Sequence, residues 1–153
     1  MKTISILLGF SIVMSIIGCI QAQQQQATKQ VGKLGGNGFV FIELFTSEGC
    51  SSCPPADKLV NQLALDATKN NQKLFILNFH VDYWNYLGWK DPFSSKQFTE
   101  RQYWYANKFG PNSVYTPQMV VNGTTAFVGS NQQKLNEAIQ QQVMLDATCR
   151  LQL

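Results

Sequence analysis

Cysteine and histidine are scarce in this 153-residue chain, and no apolar run is long enough to span a bilayer. Four cysteines (Cys19, Cys50, Cys53 and Cys149) are too few for a fold held by several bridges in place of a core. His80 is the only histidine, and a structural zinc site normally takes four ligands, with Cys149 the one thiol to spare. Charged residues make up only 14%, with a formal net charge of +3. Lys and Arg are scattered, so nothing suggests a nucleic-acid groove or a patch for an anionic membrane. What is present is a 44% hydrophobic composition, enough for one cored domain and too much for a disordered chain.

The first 22 residues read as an export signal. Lys2 precedes an apolar run from Ile4 to Ile17, interrupted only by small residues, and polar Gln21 to Gln26 end it. A spanning helix needs about 20 apolar residues, and this run is shorter. Cleavage after Ala22 would leave a chain starting at Gln23. Alternatively, Ile16-Ile17-Gly18-Cys19 resembles a lipobox, with Cys19 as the acylated residue and the sole link to a membrane. Either route places the protein outside the cytoplasm, in the periplasm, secreted or lipid-anchored, where disulfides persist. Residues 23–37, rich in Gln and then Gly, read as a flexible tether, and 38–153 as the folded domain.

From Phe39 to Phe45 the chain is β-rich and almost continuously apolar, which predicts a central strand covered on both faces. Leu59, Val60, Leu63, Ala64 and Ala67 have helical spacing across Cys53–Thr68, and Leu74–Val81 reads as a second buried strand. The aromatic stretch Asp82–Phe93 reads as an ordered loop. Ser94 or Ser95 then caps a helix to about Phe109, with Phe98, Arg101, Tyr105 and Ala106 in register. Gln118–Val121 and Thr125–Val128 are short strands joined at Asn122-Gly123, a hairpin signal. Asn131 to about Ala147 is a closing amphipathic helix. The order β-α-β-α-β-β-α predicts an α/β fold, a mixed sheet with helices on both faces.

Chemistry concentrates in Cys50-Ser51-Ser52-Cys53. Pro54 and Pro55 are tolerated only in the first turn of a helix, so the helix must begin at the Cys pair. Cys50 then lies at its exposed tip, where free N–H groups and the helix dipole favour a thiolate. Cys50 is the expected attacking thiol and Cys53 the resolving thiol, with Ser51 and Ser52 either bonding the thiolate or merely capping. A structural disulfide is the bland alternative, although so short a loop restrains little chain entropy. A second alternative is a copper-type site of Cys50, Cys53 and His80. Glu43, an acid within the apolar strand, would exchange the Cys53 proton if buried and do nothing if exposed. Pro117 should cap the third strand, and a cis Thr116–Pro117 bond is energetically accessible there. Trp84, Trp89 and Trp104 either line a substrate groove or fill the core. No bound cofactor is called for.

Glu43-Leu44-Phe45-Thr46-Ser47-Glu48-Gly49-Cys50-Ser51-Ser52-Cys53-Pro54-Pro55-Ala56-Asp57 resembles the signature of a secreted bacterial family, domain of unknown function twelve-twenty-three. His80–Trp84 through Trp89–Phe93, and Val114–Val121, resemble it as well, and the likeness spans roughly Phe39 to Ile139. It implies a thioredoxin-like fold, a redox pair at Cys50 and Cys53, and a cis-proline corner at Thr116-Pro117 facing that pair. The resemblance supplies no substrate; the function expected from the cysteine pair is thiol–disulfide exchange with other exported proteins through a Cys50 mixed disulfide, with an unidentified partner to recycle it. The family pattern also continues into a β-rich segment after the last core helix, which this sequence does not contain, and it gives Cys149 no role.

Overall fold

The computed structural model describes residues 38–110 and 112–145. The leader, the tether, Cys19 and Cys149 lie outside the described residues. In chain order the elements are β1 (Val40–Thr46), α1 (Pro54–Lys69), β2 (Leu74–His80), a 3₁₀ helix (Asp82–Leu87), α2 (Lys96–Phe109), β3 (Gln118–Val121), β4 (Thr125–Val128) and α3 (Gln132–Val143). One four-stranded sheet runs β2-β1-β3-β4, and this mixed order fits a thioredoxin-like arrangement. β1 pairs parallel with β2, from Val40 opposite Leu74 to Thr46 opposite His80, and antiparallel with β3, from Ile42 opposite Val121 to Phe45 opposite Gln118. β3 and β4 form the expected hairpin, with positive φ at Asn122 and Gly123 in its turn.

Strand alternation sorts β1 side chains onto two faces. Leu44 meets α1: a Cβ built on Gly129 would lie 2.9 Å from Leu44 Cδ1, 3.2 Å from Ala56 Cβ and 3.1 Å from Pro117 Cβ. Glu43 and Phe45 point the other way, to α2, where Phe45 packs with Val81, Tyr105 and Val120. α3 packs against β1 and β3 through Leu135, Ala138, Ile139 and Val143. The helices thus cover both faces. Among the described residues no helix is long and apolar enough to cross a membrane.

Three readings of the sequence need correction. β2 is not a buried strand: it forms a sheet edge, and Phe75 and Leu77 are exposed because α2 covers only part of that face. The buried positions of α2 are Thr99, Gln102 and Tyr105 instead of Phe98, Arg101 and Ala106, since polar partners await Gln102 inside. α3 ends at Val143, not near Ala147; Met144 is exposed and offers no packing to extend the helix.

Gly129 is where the end of β4 passes closest to α1 and the Pro117 corner. Gly129→Ala would wedge a methyl between Leu44, Pro117 and Ala56 and should cost about 1–3 kcal/mol. Urea unfolding would show this as a lower midpoint at unchanged m-value.

Candidate redox site

The chain leaves β1 at Thr46 and reaches α1 through a tight loop. Cys50 N–H donates to the Ser47 carbonyl (3.1 Å), Cys53 N–H to that of Cys50 (3.1 Å), and the N–H groups of Ala56 and Asp57 to that of Cys53 (2.9 and 3.1 Å). Cys53 caps α1 with helical dihedrals, and Pro54 and Pro55 fill the first turn, where no N–H is missed. Cys50 and Cys53 are joined by a disulfide, their Cα atoms 5.4 Å apart.

Cys50 is not at an exposed tip. It is 2% accessible and Cys53 is fully buried, whereas Ser51 and Ser52 between them are exposed. The loop is hemmed in from the side: a Cβ on Gly49 would lie 3.1 Å from Trp84 Cβ, a tight contact that glycine avoids as the 3₁₀ helix passes.

Thr116–Pro117 is a cis peptide, and it faces the pair. Ser52 Oγ stands 3.5 Å from Cys50 Sγ and donates a long bond (3.4 Å) to the Thr116 carbonyl. Trp84 Nε1 donates to Thr116 Oγ1 at 2.7 Å. Behind the corner is a buried amide relay. Gln102 Nε2 donates to the Tyr115 carbonyl and to Gln118 Oε1, both at 2.8 Å, and Gln118 Nε2 to the Ser113 carbonyl at 2.7 Å. Tyr83 adds its hydroxyl to Gln102 Oε1. Every buried polar side-chain atom of the described residues finds a partner.

Three carboxylates matter, and they sit differently. Glu43 is 1% exposed, but its carboxylate accepts from Arg101 (2.5 Å) and from the Tyr105 hydroxyl on the α2 face. The Cys-bearing helix lies on the other face, so the structure does not bring Glu43 to Cys53. Burial, reinforced by the bond to Glu43, pushes the Tyr105 phenol well above its ordinary range. Asp91, also 1% exposed, binds the Glu48 N–H (2.9 Å) and His80 Nδ1 (2.7 Å) through Oδ2, and the Phe93 N–H (2.9 Å) through Oδ1. Burial alone would raise its pKa, but the bonds from Glu48, His80 and Phe93 outweigh it and hold the carboxyl below its usual value. Asp57, half-buried in the first turn of α1, accepts from Thr46 Oγ1 at 2.8 Å. Burial raises its pKa against the pull of Thr46 and of His80.

The family model described as "Protein of unknown function (DUF1223)" matches residues 41–153. The chain belongs to this family. The crystal structure of a protein from Agrobacterium tumefaciens is similar, with 42% identity and a TM-score of 0.60. The match covers 67% of this chain and 44% of that one, so the chain spans under half the length of that structure. No protein of curated function matches the chain.

Within this family member, the residues expected at the site divide cleanly. Cys50, Cys53, Thr116 and Pro117 converge; Glu43 does not. His80 Nδ1 is committed to Asp91, and among the described residues no three His, Cys, Asp or Glu side chains gather as a metal-holding group. Trp84 buttresses the loop and Trp89 donates to Glu48 Oε2 (3.0 Å) beside it, while Trp104 lies exposed on α2 against Tyr105. Sequence reasoning left Asp57, Asp91, Gln102 and Gln118 without roles. Asp57 alone carried a signal, its place four residues after Cys53.

Two outcomes follow. Asp91 has a depressed folded pKa, so the unfolded chain takes up its proton first as pH falls. The stability it supplies is complete above pH 3.8 and is lost as pH drops below that through the folded value. Asp91→Asn should flatten this acid limb in urea melts measured from pH 6 downwards. Glu43→Gln should lower stability by about 1–3 kcal/mol, discounted for the partly exposed Arg101. Its Cys pair should keep an unchanged reduction potential; a shifted potential would mean Glu43 couples to the pair after all.

Proposed function

We propose that the protein is an exported thiol–disulfide oxidoreductase that exchanges disulfides with other proteins through Cys50 and Cys53. The observation that carries this reading is the Cys50–Cys53 disulfide at the start of α1, facing the Thr116 carbonyl. The positive end of the α1 dipole favours the thiolate, the reactive form of a cysteine placed there, although the two prolines of the first turn have no N–H to offer it. In the reducing direction, Cys50 thiolate attacks one sulfur of a substrate disulfide, and the other sulfur leaves as thiolate. Cys53, having lost its proton, then attacks Cys50 Sγ, closes the internal disulfide and expels the second substrate thiolate. Electrons pass from the two cysteines to the substrate pair. The reverse sequence oxidises a substrate dithiol.

A structural bridge accounts less well for the arrangement. A loop of this length restrains little unfolded-chain entropy, and a purely structural bond has no use for the Ser52–Thr116 contact beside it. The Cys50, Cys53 and His80 copper reading loses support from the His80–Asp91 bond. The export reading of the leader is consistent with an oxidised pair, and the partner that recycles it would share that compartment.

Equilibration with glutathione tests the proposal. A potential between about −270 and −120 mV is expected, and one below about −300 mV would mark a bridge too stable to cycle. Cys53→Ser should accumulate a Cys50 mixed disulfide with substrate, visible as a reducible mass adduct, whereas Cys50→Ser should form none.

A further inference from the structure

Glu43 is the acid that the sequence nominates to serve Cys53, and the fold takes it away to Arg101 and Tyr105. A different carboxylate stands where that role would be played. Cys53 has helical dihedrals (φ −78°, ψ −36°), and its carbonyl accepts the Asp57 N–H at 3.1 Å, so the two residues are related as i and i+4. Their Cβ atoms are therefore about 5–6 Å apart on one face of α1. That face turns inward: Cys53 is fully buried, and Asp57 is tucked against Thr46 of β1, whose hydroxyl it accepts. Among the described residues no Lys or Arg pairs with Asp57. The ionisable groups facing it are His80 of β2 and Asp91 of the following loop, already bound to one another.

We propose that Asp57 is the acid–base partner of Cys53, taking its proton as the thiolate forms and returning it when the thiol is regenerated. This deepens the oxidoreductase reading and rests on it. In the resolving step the Cys53 S–H proton passes to the Asp57 carboxylate, and the Cys53 thiolate forms the bond to Cys50 Sγ. The substrate–Cys50 bond breaks, and the departing substrate thiolate takes a proton from Asp57 or from water. Run backwards, the Cys53 thiolate released from the disulfide is protonated by the Asp57 carboxyl. A lysine-paired carboxylate would stay ionised throughout. One held half-buried with a single hydroxyl donor has a pKa raised towards the thiol's and can trade its proton.

Asp57→Asn keeps the shape and the acceptor for Thr46. Because the folded-state pKa of Asp57 is raised, its ionised form opposes folding above the ordinary value of 3.8, and the amide should fold at least as well at neutral pH. The test uses the full chain carrying Cys19→Ser and Cys149→Ser. In a Cys50→Ser background, pH-dependent alkylation of Cys53 should have its midpoint above the ordinary thiol value of about 8.5, and Asp57→Asn should lower it by about one pH unit. With Cys50 restored, the reduced protein is mixed with dithiobis-nitrobenzoate, and release of thionitrobenzoate by Cys53 is followed. Release should be nearly flat from pH 6.5 to 8 with Asp57 and should climb about tenfold per pH unit in Asp57→Asn. An unmoved Cys53 midpoint, a midpoint below 8.5 with Asp57 present, or equal slopes in both proteins would overturn the proposal. If no Cys50 adduct forms even with Asp57 present, the oxidoreductase reading fails instead, and the Cys53 midpoint, which needs no exchange, still decides the pairing.

Discussion

The buried carboxylate of Asp91 ties together the segments from which the site is made. Its two oxygens bind the Glu48 N–H in the loop that carries the cysteines, His80 at the end of β2, and the Phe93 N–H in its own turn. Its backbone joins in: the N–H donates to Asn85 Oδ1 in the 3₁₀ helix, and the carbonyl accepts from Ser94 just before α2. A carboxylate withdrawn from water is costly unless several donors meet it, and here backbone N–H groups and an imidazole supply them. The geometry of the Cys loop is thereby tied to the aromatic segment beside it.

From the other side the Pro117 corner is held by amides in place of charges. Gln102 and Gln118 are both fully buried, and each spends its NH2 group on backbone carbonyls or on the other glutamine. Its one titratable member, the Tyr83 phenol, is pushed up by burial, so the network is uncharged at neutral pH and the corner adds no charge beside the cysteine pair. The carboxylates are parted by the sheet itself: Glu43 stays with Arg101 on the α2 face, Asp57 with Thr46 on the α1 face. A single step along β1 decides which face a side chain occupies, and hence whether an acid reaches the cysteines.

Much of this was legible beforehand. The element order, the hairpin at Asn122-Gly123, the start of α1 at the proline pair and the Ser95 cap all rest on local rules, and local rules act whatever the surroundings. The errors share one cause. β2 has an apolar sequence, but whether it is covered depends on where α2 ends up, and that leaves Phe75 and Leu77 exposed. Gln102 looks like a surface residue of an amphipathic helix, yet its partners are a loop carbonyl and Gln118, sixteen residues on. Asp91 resembles any loop acid until Glu48, forty-three residues away, is brought to it.

By itself the sequence determined where chemistry is concentrated: a close cysteine pair, two prolines that force a helix to start there, and a proline entering the third strand. Those features follow from bonds the backbone lacks and angles it must keep, which are properties of neighbours in the chain. Only the tertiary structure decided that Glu43 turns away from Cys53, that Cys50 is buried, and that His80 is bound to Asp91. Burial, strand parity and hydrogen bonding between distant segments set those outcomes, and none of the three exists until the sheet has formed.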